Sequence, residues 1–231
     1  MDRGKFYCVG VGPGDKELIT VKALNTLQRA DIIAVPRMKN GESTAYGIVE
    51  DYISGKDIIN FHTPMSKDFA ALDKNYANIA KTITALLDSG KSVAFITLGD
   101  PSVYSTAMQV NTDISAMGYE TEVIPGITSF CAAAARLNMP LCERDEALVV
   151  LPASYSDAVS GLKLKGTKVL MKAGRAIFDV KDMLDKEGML DKASMVECCG
   201  MENEKIYKSL SELDLDNTSS YFSIIIVKDN G

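Results

Sequence analysis

Four short segments set glycine, proline, hydroxyl or charged residues at the end of an apolar run, where a backbone or a side chain can be offered to a ligand. The first is Gly10-Val11-Gly12-Pro13-Gly14-Asp15. Glycine-rich strand-to-helix turns cradle pyrophosphate on backbone N–H groups, so dinucleotide binding is the chemistry to test. The G-x-G-x-x-G spacing fails, because position 15 is Asp. Pro13 removes an amide donor from the loop, and Asp15 would repel a phosphate. No acid stands near the end of the second strand to hold a ribose; Pro36-Arg37 is there instead. What these glycines do require is a tight turn with positive φ.

The second segment, Thr97 to Thr106, contains Gly99-Asp100-Pro101 and Tyr104. Glycine lets a ligand approach the main chain, proline fixes the chain direction, and the Asp100 carboxylate suits an ammonium or a hydroxyl. A plain strand-ending turn is the competing account. The third is Pro125-Gly126-Ile127-Thr128-Ser129, whose hydroxyls could cap a helix or meet a ligand. The fourth is Val169-Leu170-Met171-Lys172, where an ordinary core methionine is the alternative. His62, the only histidine, would suit a general base. It lies in the polar stretch His62-Thr63-Pro64, away from all four segments, and reads as a loop residue.

These segments need elements to hold them. Apolar runs predict strands over 6–11, 31–36, 57–61 and 92–98, and 3.6-residue spacing predicts helices over 20–30, 43–53 and 76–87. Thr20 is available to cap the first helix. Such alternation is the mark of a mostly parallel sheet covered on both faces. After a helix at 106–117 the pattern changes. Strands are expected at 120–124, 147–151, 167–171, 195–199 and 221–227, with helices at 129–137 and 176–186, which suggests a mixed sheet. Ala132 to Ala135 would let the 129–137 helix pack closely. The reading is α/β: an N-terminal domain over 1–117, a C-terminal domain over 118–231, and a cleft between them.

Taken together and in order, Gly-x-Gly-Pro-Gly-Asp, Gly-Asp-Pro-x-x-Tyr, Pro-Gly-Ile-Thr-Ser and Leu-Met-Lys resemble the tetrapyrrole (corrin/porphyrin) methylase family over about residues 5–228. Within that family, Thr97 to Thr106 and Ser129 to Leu137 are most similar to the C20-methyltransferases, whose substrate is precorrin-2 or cobalt-factor II. The Phe-Gly-Arg-Gly continuation expected of a uroporphyrinogen methylase is missing after Gly99-Asp100-Pro101. The resemblance implies S-adenosylmethionine as cofactor, folded between the two domains, and a homodimer. It implies that Leu98, Gly99 and Asp100 contact the cofactor's methionine part, with Val103 and Tyr104 flanking it and Thr128 and Ser129 across the pocket. Met171 and Cys199-Gly200-Met201 would border the adenosine. Gly12 and Pro13 would line the tetrapyrrole trough. Asp100 is expected to give electrostatic support or proton transfer, or simply to bind the cofactor, and Lys172 to orient a substrate carboxylate. Arg37, Lys39 and Arg136 are the leading cations for the remaining carboxylates, with Arg144 and Arg175 behind them.

Composition bounds the partners. The 231 residues hold 25 Lys+Arg and 31 Asp+Glu, a net −6, and 46% are hydrophobic. That balance argues against a protein that grips nucleic acid through its phosphates. It does not argue against a polycarboxylate, because residues 136–175 carry seven basic and four acidic side chains. Runs such as Ile224 to Val227 are far shorter than the ~20 residues that cross a bilayer. No secretory or transit pattern is read at the start, and a cytoplasmic setting is expected. Five cysteines, without a C-x-x-C pair or a histidine at metal spacing, read as reduced thiols, and no metal site is expected. The expectation is therefore C20 methylation of cobalt-factor II (cobalt-precorrin-2) on the anaerobic route to cobalamin. The alternatives are metal-free precorrin-2, another corrin-ring methylase, or a non-catalytic nucleotide-binding α/β protein.

Overall fold

The computed structural model describes residues 3–64, 66, 68–153, 158–213 and 220–228, with the side chains of Ala158, Val159 and Arg175 outside that description. The chain forms two compact units, Met1–Thr128 and Ser129–Gly231. The first contains strands β1 (Phe6–Gly10), β2 (Ile32–Arg37), β3 (Asp57–His62), β4 (Val93–Thr97) and β5 (Thr121–Ile124). Its helices are α1 (Val21–Arg29), α2 (Thr44–Val49), α3 (Phe69–Asp88) and α4 (Thr106–Ala116). The strands order as β3-β2-β4-β1-β5, and every neighbouring pair is parallel.

A parallel sheet must be covered on both faces, and the side chains alternate accordingly. Phe6, Cys8, Ala34, Val93 and Phe95 pack with Ile79, Ile83 and Leu87 of α3 and Val110 and Ile114 of α4. Val9, Ile33, Val35, Ala94 and Ile96 turn the other way, onto Ala23 and Leu27 of α1 and Ile48 and Val49 of α2. The chain therefore leaves β1 towards one face and β4 towards the other. These two strands are neighbours, so the topological switch point, where open α/β sheets receive ligands, lies at their carboxyl ends.

The second unit contains α5 (Ser129–Arg136), β6 (Leu148–Pro152), α6 (Ala158–Leu162), β7 (Thr167–Met171), α7 (Ile177–Lys186), β8 (Ala193–Glu197), β9 (Lys205–Tyr207) and β10 (Ser223–Val227). Its order is β6-β7-β10-β8-β9, with β6 and β7 parallel and the other pairs antiparallel. Leu170, Met195 and Ile225 pack on Leu162, Ile177, Val180 and Leu184. The short helix α5 buries Ala132, Ala133 and Ala134 and lies against β8 and β10, as its small residues predict.

Several boundaries differ from the sequence reading. The break between units follows Thr128 rather than residue 117, because β5 pairs with β1 and completes the first sheet. Helix α3 starts at Phe69, where Asp68 Oδ1 caps the N–H of Ala71 at 3.0 Å. Its first two turns are largely exposed, so they carry no apolar period to read. Strand β9 and helix α6 are too short to show a period at all. His62 is the exposed last residue of an edge strand rather than a linker residue. Among the described residues no helix is long and apolar enough to cross a membrane.

Phe95 is fully buried and stacks on Phe61 with ring centroids 6.1 Å apart. Phe95→Ala is expected to cost the first unit about 3–5 kcal/mol, read as a lower urea midpoint with an unchanged slope.

Candidate active site

Glycine builds the switch point of the first unit. Val11 N–H donates to the Thr97 carbonyl at 3.0 Å. Gly12 and Gly99 then close an antiparallel bridge, with Gly99 N–H on Gly12 O at 2.7 Å and Gly12 N–H on Gly99 O at 3.3 Å. Both residues have positive φ, 86° and 70°. The loop after β5 also reaches this point. A Cβ on Gly126 would lie 2.2 Å from Gly99 O, and one on Gly10 would lie 2.7 Å from both Gly126 N and Gly99 O. Three main chains from β1, β4 and β5 touch where no side chain fits.

Asp100 staples two of these loops. Its Oδ2 accepts the Gly126 N–H at 2.9 Å, while Oδ1 accepts the Ser102 N–H at 2.8 Å and the Ser102 hydroxyl. The same acid bears on Cys8 of β1. Burial first, and the Asp100 charge second, push that thiol up to about 12, so it stays protonated. Ser105 caps α4 through the Ala107 N–H at 3.1 Å and meets Thr97 Oγ1 at 2.8 Å, which ties the far end of this loop to β4. Thr20 caps α1 as predicted, accepting from Ala23 N–H at 3.1 Å, and its hydroxyl reaches the Pro125 carbonyl at 3.4 Å.

Around this node stand the residues singled out from sequence. Gly12 and Pro13 are buried, and Leu98 packs against the α1–α2 side of the core. Val103 follows the staple, with its N–H on the Asp100 carbonyl at 3.2 Å. Tyr104 is 45% exposed at φ 50°. Thr128 Oγ1 is buried and has no hydrogen-bond partner among the described residues. It caps nothing, and a buried hydroxyl without a partner is an exception to the rule that buried polar groups are satisfied. Asp15 turns back on its own chain, accepting from Glu17 N–H at 2.9 Å to cap a 3-10 turn at Lys16–Leu18.

Arg37, at the end of β2, is engaged by its own neighbourhood. Its Nε donates to Asn60 Oδ1 at 2.5 Å, its Nη1 to Gly41 O at 2.8 Å, and its guanidinium lies 5.0 Å over the Tyr46 ring. It thereby holds the 38–42 loop that carries the exposed Lys39.

The candidates of the second unit gather at one edge of its sheet. β7 and β8 run in the same direction on either side of β10, so Met171-Lys172 and the turn at 198–201 leave from the same side. Lys172 is half-buried at φ 59°, and burial pushes its ammonium pKa down. Cys198 has φ 48° and Gly200 φ 75°. The turn is held by Cys198 N–H on Phe222 O and Met201 N–H on Cys198 O, both 2.9 Å. Left-handed backbone at a non-glycine residue costs about 1–2 kcal/mol. Two of the five described residues of this kind, Tyr104 and Lys172, fall in segments chosen for their chemistry, and Cys198 directly precedes a third.

Sequence reasoning missed Glu204, which organises that turn. Its Oε2 accepts the Gly200 N–H at 2.8 Å, and its Oε1 accepts Arg136 Nε at 2.8 Å and Nη2 at 2.5 Å. Burial works against the charged form, but the Arg136 hydrogen bonds, the Gly200 N–H and the Arg136 charge outweigh it and hold the carboxyl below its usual range. Stability from this pair is complete above the ordinary carboxylate pKa and fades only as pH falls through the lowered one. The only local signal was an acid four residues after a glycine. Ser129 is the first residue of α5 and Arg136 its last, while the Arg175 side chain lies outside the described residues.

A family model described as tetrapyrrole (corrin/porphyrin) methylases matches residues 5–214. The chain belongs to this family. As a methylase it is 38% identical to the probable cobalt-precorrin-2 C(20)-methyltransferase of Methanocaldococcus jannaschii, over 97% of this chain and 96% of that one. It is 35% identical to the cobalt-precorrin-2 C(20)-methyltransferase of Salmonella typhimurium, with the same two coverages. Solved methylases share the fold. A cobalt precorrin-4 methyltransferase aligns with a TM-score of 0.76 at 23% identity, covering 97% of this chain and 94% of its own. A uroporphyrin-III-C-methyltransferase from Thermus thermophilus aligns at 0.70 and 22%, covering 98% and 94%.

The glycine node and its staple can be tested apart from catalysis. Gly126→Ala is expected to cost about 3 kcal/mol, the upper end for overpacking, because the obstacle is main chain. Asp100→Ala, which strands two backbone donors, is expected to cost about 1–3 kcal/mol. Denaturant unfolding of both variants measures these losses.

Proposed function

We propose that this methylase transfers a methyl group from S-adenosylmethionine to C20 of cobalt-precorrin-2 in cobalamin biosynthesis. The carrying observation is identity of 38% and 35%, over nearly the whole chain, to two proteins named for that activity. Another relative, the precorrin-2 C(20)-methyltransferase of Sinorhizobium sp, is 33% identical and keeps the metal-free substrate as the second reading.

The residues of the first unit suit the cofactor. Gly99 carries no side chain of its own, so a ligand beside the 99–104 loop meets its main chain directly. The unpartnered Thr128 hydroxyl offers one buried polar contact. Leu98, Val103 and Tyr104 supply apolar surface on the same loop, and in the second unit Met171, Cys199, Gly200 and Met201 are assigned to the adenosine side. When bound, S-adenosylmethionine supplies a sulfonium-activated methyl group, so the protein's main task is alignment, which is worth up to ~7–11 kcal/mol.

With both oxygens already accepting hydrogen bonds, Asp100 serves that alignment by holding the 99–104 and 125–128 loops together. Gly12 and Pro13 form buried wall rather than a phosphate cradle. Lys172, held half-buried, and Lys39, presented by the loop that Arg37 braces, provide cations for the carboxylates of the tetrapyrrole. Lys172 orients the substrate with its charge. The same reading gives a cytoplasmic homodimer with no nucleic-acid or membrane partner, in keeping with the net −6.

The test is incubation with cobalt-precorrin-2 and 13C-methyl S-adenosylmethionine, followed by mass and NMR analysis. One new methyl at C20 is expected, and a methyl at another carbon would overturn the assignment. A parallel incubation with precorrin-2 decides between the two substrates. For the cofactor, Thr128→Val is expected to weaken S-adenosylhomocysteine binding by about five- to tenfold in calorimetry, the worth of one hydrogen bond. Its unfolding midpoint should not fall, because the hydroxyl it removes has no partner within the described chain.

A further inference from the structure

Within the second unit, the turn at 198–201 owes its shape to a residue outside it. Cys198 adopts φ 48° and Gly200 φ 75°, so the turn follows a path that local preference does not favour. The path is held at Gly200, whose N–H donates to Glu204 Oε2 at 2.8 Å. The Cys199 thiol also hydrogen-bonds the Glu204 side chain. A second turn closes as Glu204 N–H meets Met201 O at 3.1 Å. The Glu204 side chain is only 12% exposed, and a carboxylate in that setting needs a cation. Arg136 provides it from the last turn of α5, with two nitrogens on one oxygen at 2.8 and 2.5 Å. Glu204 thus accepts from a guanidinium, a backbone amide and a thiol, and it is the partner that fixes the middle of the turn, at Cys199 and Gly200.

We propose that Glu204 is a positioning residue that sets the affinity for S-adenosylmethionine by holding the 198–201 turn, and that Arg136 acts through Glu204 rather than on substrate carboxylates. This rests on the reading of that turn as the adenosine border. The chemical logic is a division of labour. The turn presents Cys199, Gly200 and Met201, while a charge pair behind it removes the freedom that a strained turn would otherwise recover without a ligand. Loss of the pair loosens the acceptor of the Gly200 N–H and the Cys199 thiol, while the Cys198–Phe222 and Met201–Cys198 hydrogen bonds remain, and the binding-competent shape becomes a fraction of the population.

The experiment compares wild type, Glu204→Gln, Arg136→Gln and the double variant. Glu204→Gln keeps a carbonyl for the Gly200 N–H but no charge for Arg136. Each single variant is expected to raise the Kd for S-adenosylhomocysteine and the KM for S-adenosylmethionine about tenfold, the scale of one charge-assisted hydrogen bond. The KM for the tetrapyrrole and kcat at saturation should stay within about twofold. The double variant should be no worse than either single one, because both remove the same interaction. Arg136 is half-exposed, so Arg136→Gln keeps the test open should Glu204→Gln fail to fold. Wild-type cofactor affinity in either folded single variant overturns the proposal, as does a rise in the tetrapyrrole KM alone for Arg136→Gln. If wild type itself does not bind S-adenosylhomocysteine, the cofactor reading falls and takes this proposal with it.

Discussion

The contact among Gly10, Gly99 and Gly126 is the constraint on which the first unit's site depends. Gly10 ends β1, and Gly99 and Gly126 follow its two neighbours in the sheet, β4 and β5, by two residues each. Strands in a sheet sit about 4.8 Å apart, and their loops ordinarily splay to make room for side chains. Here they close on one another, because there is no Cβ to separate them. The closure replaces side-chain packing with main-chain hydrogen bonds, namely the Gly12–Gly99 bridge and the Asp100 staple. A ligand placed against this node meets backbone at short range, and the node has little freedom to yield.

Asp100 shows how one residue type supports two incompatible readings. A carboxylate after a glycine at a strand end suggests an acid or a base. Its oxygens are instead occupied by the N–H groups of Ser102 and Gly126, the second of them 26 residues away in sequence. These hydrogen bonds fix the two loops against each other. In the second unit Glu204 behaves alike towards Gly200, with Arg136 supplying the charge balance that burial requires. In each unit a carboxylate holds the amide of a turn apart from its own position, Gly126 for Asp100 and Gly200 for Glu204.

Much of this was legible in the sequence. Strand periods placed β1 to β8 and β10, each to within two residues at its ends, because a two- or 3.6-residue repeat is a local property of the chain. The caps at Thr20 and the small face of α5 were legible for the same reason. The early start of α3 was not, since its first turns are exposed and bear no apolar stripe. Nor was the extent of the first unit. Strand β5 reads like any short apolar run until its pairing with β1 assigns it to the parallel sheet.

The sequence by itself determined most of the order of elements, the four candidate segments and, through their order, the methylase family. These depend on residues that are near one another along the chain. Only the tertiary structure decided what those residues touch. Strand order brings Gly10, Gly99 and Gly126 into contact, engages Arg37 with Asn60 and Tyr46, and joins Arg136 to Glu204 across 68 residues. The physical reason is that a hydrogen bond or a main-chain contact of this kind has no local signature. It exists only when crossovers of fixed handedness have laid distant strand ends side by side, and it is there that the chain's isolated glycines and charges acquire their roles.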